Sequence, residues 1–454
     1  MHDLAHDKEI VARLARRVSD AGGRVYYVGG CVRDALMGSV SKDLDVEVHG
    51  LTPAALEEIL DTLGERVSIG ESFGIYAIKG CGVDIAMPRK EHLRGRGHRD
   101  FDVIVDPDLG AREAARRRDF TVNAMMRDAL TGELVDPFHG RRDLKRGVLR
   151  HVDDETFPED PLRVLRAAQF ASRFGFRVAK ETMRLCSAMD LTALSKERVM
   201  LELEKALLQA EHPSVFFETL REMNQLRPWF SEVADLIGVP QNPRFHTEGD
   251  VWNHTMLVLD AAAQYRERAE RPLGLMLAAL THDFGKPATT ELESGVFHAY
   301  GHEEAGAALA ERFLRRLTNE TALIEYVSNL TALHMKPNVI VASGASIKTS
   351  NRMFDRAVDP EALICLSMAD GQGTISRYPY VSCEENLEGR LDAYRETMAQ
   401  PHVMGRDLID AGLEPGADFS DFLALAHKLR LAGISKDDAL KQVLAEARKK
   451  RRKA

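Results

Sequence analysis

Features that would place this chain of 454 residues in a membrane or outside the cell are missing. No stretch approaches the roughly 20 consecutive apolar residues that a bilayer-spanning helix needs. The start, MHDLAHDKEI, has neither the basic nor the apolar region of a signal peptide. The five cysteines are odd in number, far apart and without a CxxC pair, which argues against a disulfide framework. We therefore expect a cytoplasmic protein with reduced thiols and no membrane partner.

An excess of positive charge is missing as well. Lys and Arg number 61 against 70 Asp and Glu, which gives a net charge of −9 and excludes a generic nucleic-acid coat protein. A local basic surface is still compatible with that total. The apolar fraction of 44% and the charged fraction of 29% are those of a folded globular protein and exclude a mainly disordered chain.

Local patterns along the chain predict an α+β protein. Short β-rich runs, such as residues 24–28 and 44–48, alternate with helical segments in the first third, which predicts a small mixed α/β head. Helical patterns dominate after that, and the Pro-, Asn- and Gly-rich stretch 238–249 is typical of a linker. We expect four domains: a head at 1–150, a helical neck at 151–237, a second helical domain at 250–400 and a helical tail with a basic C-terminus at 401–454.

The segment VGGCVRDALMGSVSKDLDVEV at 28–48 carries the first group of candidate site residues. Its Gly-Gly turn between a predicted strand and a predicted helix lets backbone N–H groups approach a phosphate, and Arg33 is placed to join them. Asp43 and Asp45 are two apart on a predicted strand, so their carboxylates converge and repel each other unless a cation lies between them. Hard oxygen ligands suit Mg²⁺, and the pattern therefore predicts a magnesium site for a displacement at phosphorus.

A second group follows further along the chain. The basic run 116–118 leads into a helix-like segment, and Asp160, Arg163 and Arg166 lie three apart on nearly one face of a predicted helix. With Pro161 at the first helical position, Asp160 is also a good N-cap. On these residues alone, a helix N-cap with an i,i+3 ion pair is the favoured explanation of the pattern.

Six segments in order, covering roughly residues 24–208, resemble the bacterial-type tRNA nucleotidyltransferases, the CCA-adding enzymes, whose head belongs with bacterial poly(A) polymerases. They are VGGCVRD, KDLDVEV, RRDFTVNAM, DPFHGRRDLKRGVLRHV, EDPLRVLRAAQFASRFGF and ERVMLELEKAL. The resemblance implies template-independent addition of C, C and A to the 3′ end of tRNA from CTP and ATP, with release of pyrophosphate. It also implies roles for named residues: Mg²⁺ on Asp43 and Asp45, phosphate contacts near Gly30, Arg33 and Arg118, and base recognition by Asp160 and Arg163 with Arg166 nearby.

The chemistry of an Asp–Arg pair agrees with that selectivity. Cytosine and adenine both present an exocyclic amine beside a ring nitrogen that accepts a hydrogen bond. A carboxylate accepts from the amine while a guanidinium donates to the ring nitrogen. Uracil and guanine present a carbonyl beside an N–H, which mismatches the same two side chains. One such pair is therefore enough to select C and A without a nucleic-acid template.

A third group lies between residues 250 and 400, where histidines and aspartates recur in helical segments. The pattern H…HD…D, with imidazole and carboxylate ligands that suit a divalent transition metal, resembles the HD phosphohydrolase family. The resemblance implies Ni²⁺, Mn²⁺ or Co²⁺ and hydrolysis of phosphoesters such as 2′,3′-cyclic or 2′-phosphates. Its implied ligands are His254, His282, Asp283 and Asp370, with His302 and His334 as additional histidines.

Two alternatives stay open at this point. A poly(A) polymerase, or an enzyme that adds only CC or only A, shares most of these motifs, and residues 87–103 resemble the mobile loop that the family uses in switching to A. The other alternative is an HD phosphohydrolase whose head only grips RNA. Asp43 and Asp45 argue against it, because an RNA-binding surface has no need of paired carboxylates.

Overall fold

The computed structural model describes residues 3–41, 43–70, 74–93, 101–377 and 381–453. They fall into two compact units, Met1–Ala206 with Val215–Trp229, and Leu207–Ser214 with Phe230–Ala454. A mixed sheet lies in the first unit and helices dominate the second, so the predicted α+β class is confirmed. Within the described ranges, no helix is both long and apolar enough to cross a membrane.

The head of the first unit is built on a mixed seven-stranded sheet. The strands that precede residue 140 are β1 (Arg24–Val28), β2 (Leu44–His49), β3 (Arg66–Gly70), β4 (Ile75–Ile78), β5 (Val83–Ala86), β6 (Arg89–Leu93), β7 (Phe101–Val105), β8 (Met126–Asp128) and β9 (Leu134–Val135). Seven of them form one sheet in the order β3-β4-β5-β2-β1-β8-β9, and β6 pairs with β7 separately. The predicted switching loop at 87–103 includes β6 and the first part of β7, but residues 94–100 lie outside the described part of the chain.

Helices and two short strands complete the chain up to residue 234. They are α1 (Leu4–Asp20), α2 (Gly30–Leu36), α3 (Pro53–Asp61), α4 (Ala111–Arg116), α5 (Gly140–Arg146), β10 (Val148–Leu149), α6 (Leu162–Phe174), β11 (Arg177–Val178), α7 (Lys180–Ser187), α8 (Lys196–Gln209), α9 (Ser214–Glu222) and α10 (Arg227–Ala234). The spacing of Ile10, Leu14 and Val18 puts one apolar stripe of α1 into the head core, together with Val46 and Val48 of β2. This packing fixes β2, which carries Asp45.

The second unit is almost entirely helical. Its elements after residue 250 are α11 (Val251–Ala262), α12 (Pro272–Thr281), α13 (Lys286–Thr289), β12 (Glu291–Glu293), β13 (Val296–His298), α14 (His302–Leu317), α15 (Thr321–Leu333), α16 (Met335–Ala342), α17 (Ile347–Arg356), α18 (Pro360–Gly373), α19 (Glu384–Ala399), α20 (Gly405–Asp410), α21 (Phe419–Arg430) and α22 (Lys436–Lys453). Helix α11 packs along α18, and α14 packs along α15. These contacts bring the histidine-bearing helix ends together.

Helix α12 is the centre of this unit, since its residues from Gly274 to Thr281 are all buried. The chain turns sharply after it, and a Cβ on Gly285 would lie only 2.0 Å from the carbonyl oxygen of His302. Glycine at this position therefore allows the segment after α12 to approach the start of α14 closely. The close approach brings Asp283 next to His302.

Candidate active sites

The carboxylates of the head lie at the start of two paired strands. Strands β2 and β5 pair in parallel with Asp45 opposite Asp84, and Asp43 immediately precedes β2. Burial raises the pKa of the Asp45 carboxyl, and the neighbouring charges of Asp84 and Asp43 raise it further, against the opposing effect of Arg118. A carboxylate in such surroundings is stabilised by a cation, so the residues present fit a divalent ion. Asp84 was not predicted from the sequence.

The Gly-Gly turn and the basic run meet beside Asp45. Gly29 has φ +71°, and a Cβ there would lie 3.0 Å from Arg118 Nη1 and 3.8 Å from Asp45 Oδ2. Buried Glu47 holds both guanidinium groups, with Oε2 at 3.6 Å from Arg117 and 3.7 Å from Arg118. Against the effect of burial, a hydrogen bond from His49 and these arginines hold the pKa of Glu47 at about 2. The basic run is thus fixed against the turn that begins at Gly29 and Gly30.

Arg33 has protein partners on both sides of its guanidinium group. Nη1 donates to Asn123 Oδ1 at 2.7 Å, and Nη2 donates to Asp34 Oδ1 at 2.7 Å. The guanidinium also lies over the Phe174 ring, 4.5 Å from its centroid, and the residue is 4% exposed. A phosphate contact by Arg33 requires an exchange of these partners, and that role stays a prediction.

A buried hydrogen-bond chain continues from Asn123 into helix α6. Asp119 accepts from Asn123 Nδ2 at 3.0 Å and from Arg166 at 2.6 and 2.8 Å. Burial alone would raise the pKa of Asp119, but Arg166 and Asn123 hold it below its ordinary value. Arg166, expected near the base, is therefore a fixed partner of the RRDFTVNAM segment. The hydrogen bond between Asn123 and Asp119 was not predicted from the sequence.

Asp160 and Arg163 lie at the start of α6 and are not paired with each other. Asp160 accepts from Arg198 Nη2 at 2.8 and 3.0 Å and also caps the helix by accepting from the Leu162 N–H at 3.1 Å. Arg163 donates to the carbonyl oxygens of Thr156 at 2.6 Å and Arg117 at 2.5 Å. Asp160 therefore caps α6, and these hydrogen bonds hold the side chains of Asp160 and Arg163 in fixed orientations. Base recognition by the two residues stays a prediction.

The six predicted metal ligands of the second unit fall into two groups. In each group the ligand atoms lie within 4.8 Å of one another, and the groups are His254, His282 and Asp370, and Asp283, His302 and His334. Asp283 joins them, with Oδ2 at 3.2 Å from His282 Nε2 and Oδ1 at 3.5 Å from His302 Nε2. All six predicted residues are thus brought together. The head carboxylates do not form so tight a group within the described part of the chain.

Backbone carbonyls set the tautomer of three of these imidazoles. The Nδ1 atoms of His282, His302 and His334 lie 2.7–2.8 Å from the carbonyl oxygens of Ala279, Ala299 and Thr331, respectively. A carbonyl oxygen only accepts, so each Nδ1 carries a hydrogen and each neutral ring has its lone pair on Nε2. His302 Nε2 and His334 Nε2 are 3.3 Å apart. Two lone pairs at this distance repel each other, and a shared cation removes the repulsion.

The electrostatics of the group keep its carboxylates ionised and shift the pKa values of its imidazoles in opposite directions. Burial and the neighbouring His282 lower the pKa of His334 to about 3, so that its ring is neutral. The pKa of Asp283 lies well below its ordinary value despite burial, because His282 and Lys286 stabilise the carboxylate. His254 differs, since hydrogen bonds to Asp370 and Glu248 outweigh burial and raise its pKa to about 9. A metal that binds here has to displace that proton.

The expected linker contributes to this site. Glu248 Oε1 lies 3.2 Å from His254 Nδ1, and Oε2 accepts from the Ile375 N–H at 3.0 Å. Thr247 fixes the same segment by donating to the Ile375 carbonyl. Glu248 is therefore a functional candidate that the sequence reasoning missed. The composition of residues 238–249 gave no signal of it, because its partners lie in α11 and beyond α18.

Family models match three parts of the chain. They are the Poly A polymerase head domain over residues 25–150, the Probable RNA and SrmB-binding site of polymerase A over 175–237 and the HD domain over 251–371. Solved structures with the same fold include the Thermotoga maritima CCA-adding enzyme complexed with tRNA-CCA, with a TM-score of 0.63 at 22% identity over 97% of this chain and 95% of that one. The Bacillus stearothermophilus CCA-adding enzyme in complex with CTP has a TM-score of 0.67 at 19% identity over 98% and 99%.

Curated relatives are closer in sequence. The multifunctional CCA protein of Nitrosococcus oceani is 38% identical over 402 residues, 86% of this chain and 93% of the relative. That of Halorhodospira halophila is 40% identical over 431 residues, 91% of this chain and 98% of the relative. The resemblance stated from the motifs is confirmed. This chain belongs to the family of multifunctional CCA proteins, nucleotidyltransferases with an appended HD domain.

Proposed function

We propose that the head adds C, C and A to the 3′ end of tRNA, using CTP and ATP and releasing pyrophosphate. The observation that carries this proposal is the juxtaposition of Asp45 with Asp84 and Asp43, beside the Gly29 turn and Arg118. Carboxylates next to a phosphate-binding turn serve a displacement at phosphorus and have no use in a surface that only grips RNA.

In this mechanism Asp43 and Asp45, with Asp84 beside them, would hold Mg²⁺, which would supply stabilisation of negative charge at phosphorus. The 3′-oxygen of the RNA attacks the α-phosphorus of the nucleotide, and pyrophosphate leaves. The backbone N–H groups after Gly29 and the Arg118 guanidinium hold the triphosphate. Asp160 accepts from the exocyclic amine of the base and Arg163 donates to its ring nitrogen.

The test is incubation with a tRNA that lacks its 3′ CCA and with each labelled nucleotide, followed by sequencing of the product ends. CCA ends are expected when CTP and ATP are both present. Long A tracts indicate a poly(A) polymerase, and ends of CC or of a single A indicate a partial enzyme.

For Asp84, we expect Asp84→Asn to reduce both C and A addition, because both use the same ion. Unchanged rates in this variant exclude Asp84 from the site.

We further propose that the HD site hydrolyses phosphoesters of nucleotides or RNA ends, such as 2′,3′-cyclic or 2′-phosphates. The facing Nε2 atoms of His302 and His334 carry this proposal, since imidazoles oriented in this way favour a transition metal such as Ni²⁺, Mn²⁺ or Co²⁺. Such an ion would activate water for attack on phosphorus. The experiment is a screen of these esters with each metal after chelation, and no hydrolysis with any metal would make the group structural.

The cytoplasm is the proposed location. CTP, ATP and tRNA 3′ ends meet there, and the five free cysteines agree with a reducing compartment. Fractionation of cells that express the tagged full chain tests this assignment.

A further inference from the structure

One histidine outside the predicted ligand set lines the same cleft as the metal ligands. His246 borders a cleft of about 520 Å³ together with Asp283, His302, His334 and Asp370. Its Nδ1 lies 2.7 Å from Glu248 Oε1, and its side chain is 21% exposed, whereas that of Glu248 is 2% exposed. Among the residues that the structure describes, Nε2 of His246 has no hydrogen-bond partner. One ring nitrogen is therefore held by a buried carboxylate and the other is left for a ligand of the cleft.

The shared carboxylate argues against a third metal position at His246. His246, Glu248 and His254 have ligand atoms within 4.8 Å of one another, as a metal group would. Glu248 Oε1, however, accepts from the Nδ1 atoms of both rings, at 2.7 and 3.2 Å. Both Nδ1 atoms then carry hydrogens, and no imidazole lone pair converges on Glu248. The rings of His246 and His254 meet edge to face, with centroids 5.0 Å apart. His246 therefore lies next to the candidate metal ligand His254.

We propose that His246 is the general acid of the HD site and that Glu248 is its positioning residue. This inference rests on the proposed phosphohydrolase function. A water oxygen forms the new bond to phosphorus, and the ester P–O bond breaks with its electron pair on the leaving oxygen. His246 Nε2 gives a proton to that oxygen, which leaves as an alcohol. The proton lost by the water passes to solvent, from which His246 is protonated again, so that one water molecule adds across the ester.

The test varies the leaving group. An alkoxide, released from a 2′,3′-cyclic nucleotide, needs a proton as it leaves, whereas p-nitrophenolate, released from bis(p-nitrophenyl) phosphate, does not. We expect His246→Gln to lose roughly a hundredfold to ten-thousandfold in rate on the cyclic nucleotide. The loss on the nitrophenyl ester should be far smaller, and the metal bound per chain, measured by atomic emission, should equal that of the wild type.

His298→Gln is the matched control, because His298 borders the same cleft but stacks on Tyr300, with ring centroids 5.2 Å apart. This control should not change the ratio of the two rates. Glu248→Gln should change the ratio in the same direction as His246→Gln. Equal losses on both esters, or loss of bound metal in His246→Gln, overturn the assignment of His246 while the wild type remains active. A wild type that cleaves neither ester with any metal overturns the phosphohydrolase proposal and this one with it.

Discussion

Replacing Asp119 by Asn tests whether the buried chain between the head and helix α6 stabilises the first unit. Asp119 is 8% exposed and accepts two hydrogen bonds from Arg166 and one from Asn123. After the change, the nearest carboxylate of Arg166 is Glu202, at 3.9 Å. The Arg166 side chain is 31% exposed, so the loss is smaller than for a fully buried ion pair and amounts to about 1–3 kcal/mol. At about 2–4 °C per kcal/mol for units of about 150–250 residues, the Tm should fall by about 2–12 °C.

The assay uses the two tryptophans of the chain. Trp229 belongs to the first unit and Trp252 to the second, so in a Trp252→Phe background the fluorescence of Trp229 reports on the first unit alone. Glu65→Gln is the matched control, because the side chains of the Lys79–Glu65 pair in the same unit are 65% and 68% exposed and an exposed pair contributes about 0–1 kcal/mol. If both variants lower the Tm by the same small amount, the chain is not a stabilising element.

The pH dependence of the same comparison follows from the lowered pKa of Asp119. A carboxyl whose pKa is lower in the folded than in the unfolded protein adds stability above its unfolded pKa, about 3.9. The stability difference between wild type and Asp119→Asn should be complete above about pH 4 and shrink as the pH falls through the folded pKa. A difference that grows on acidification would contradict an ionised Asp119.

Four further predictions follow from the two sites. Asp43→Ala or Asp45→Ala should abolish incorporation of both CMP and AMP while tRNA binding, measured by filter retention, persists; incorporation at a normal rate would refute the metal assignment. Asp160→Ala or Arg163→Ala should weaken the preference for C and A over U and G about tenfold to a hundredfold, because a lost buried hydrogen-bond partner costs about 1–3 kcal/mol. An unchanged preference would mean that the two residues only cap the helix. His282→Ala should remove hydrolysis and leave nucleotide addition, and loss of addition in a folded variant would refute independent sites. The affinity for tRNA should fall steeply with salt despite the net charge of −9, since helix α5 exposes four cations, and a flat response would contradict phosphate contacts.

Patterns that depend only on neighbouring residues could be predicted well. The apolar stripe of α1 is such a pattern, and so is the strand that follows Leu44. The six candidate ligands of the HD part came from the resemblance to the HD phosphohydrolase family, and the end of an apolar helix is an unusual place for His282 and Asp283. For α1 and β2 the signal and the structure lie in the same short segment.

Contacts between distant segments could not be predicted. Asp84 lies beside Asp45 only because β5 pairs in parallel with β2, and no local feature of residues 83–86 indicates that register. Arg198 binds Asp160 from another helix, 38 residues further along. Glu248 lies in a stretch whose composition is that of a linker, and the hydrogen bonds of Glu248 and Thr247 to Ile375 show that the stretch is fixed in place.

The HD part of the chain shows why helix ends and candidate metal ligands coincide. His282 follows the end of α12 and His334 follows the end of α15, and each donates its Nδ1–H to a carbonyl oxygen three residues earlier. The last carbonyls of a helix have no N–H partner within the helix, so an imidazole at this position satisfies one of them. The same hydrogen bond leaves the lone pair on Nε2, which faces the other candidate ligands, and it holds the ring in that orientation. Gly285 helps to end the helix and therefore indicates a candidate metal-ligand position as well as a turn. If the helix continued past His282, both the turn and this ligand position would be lost.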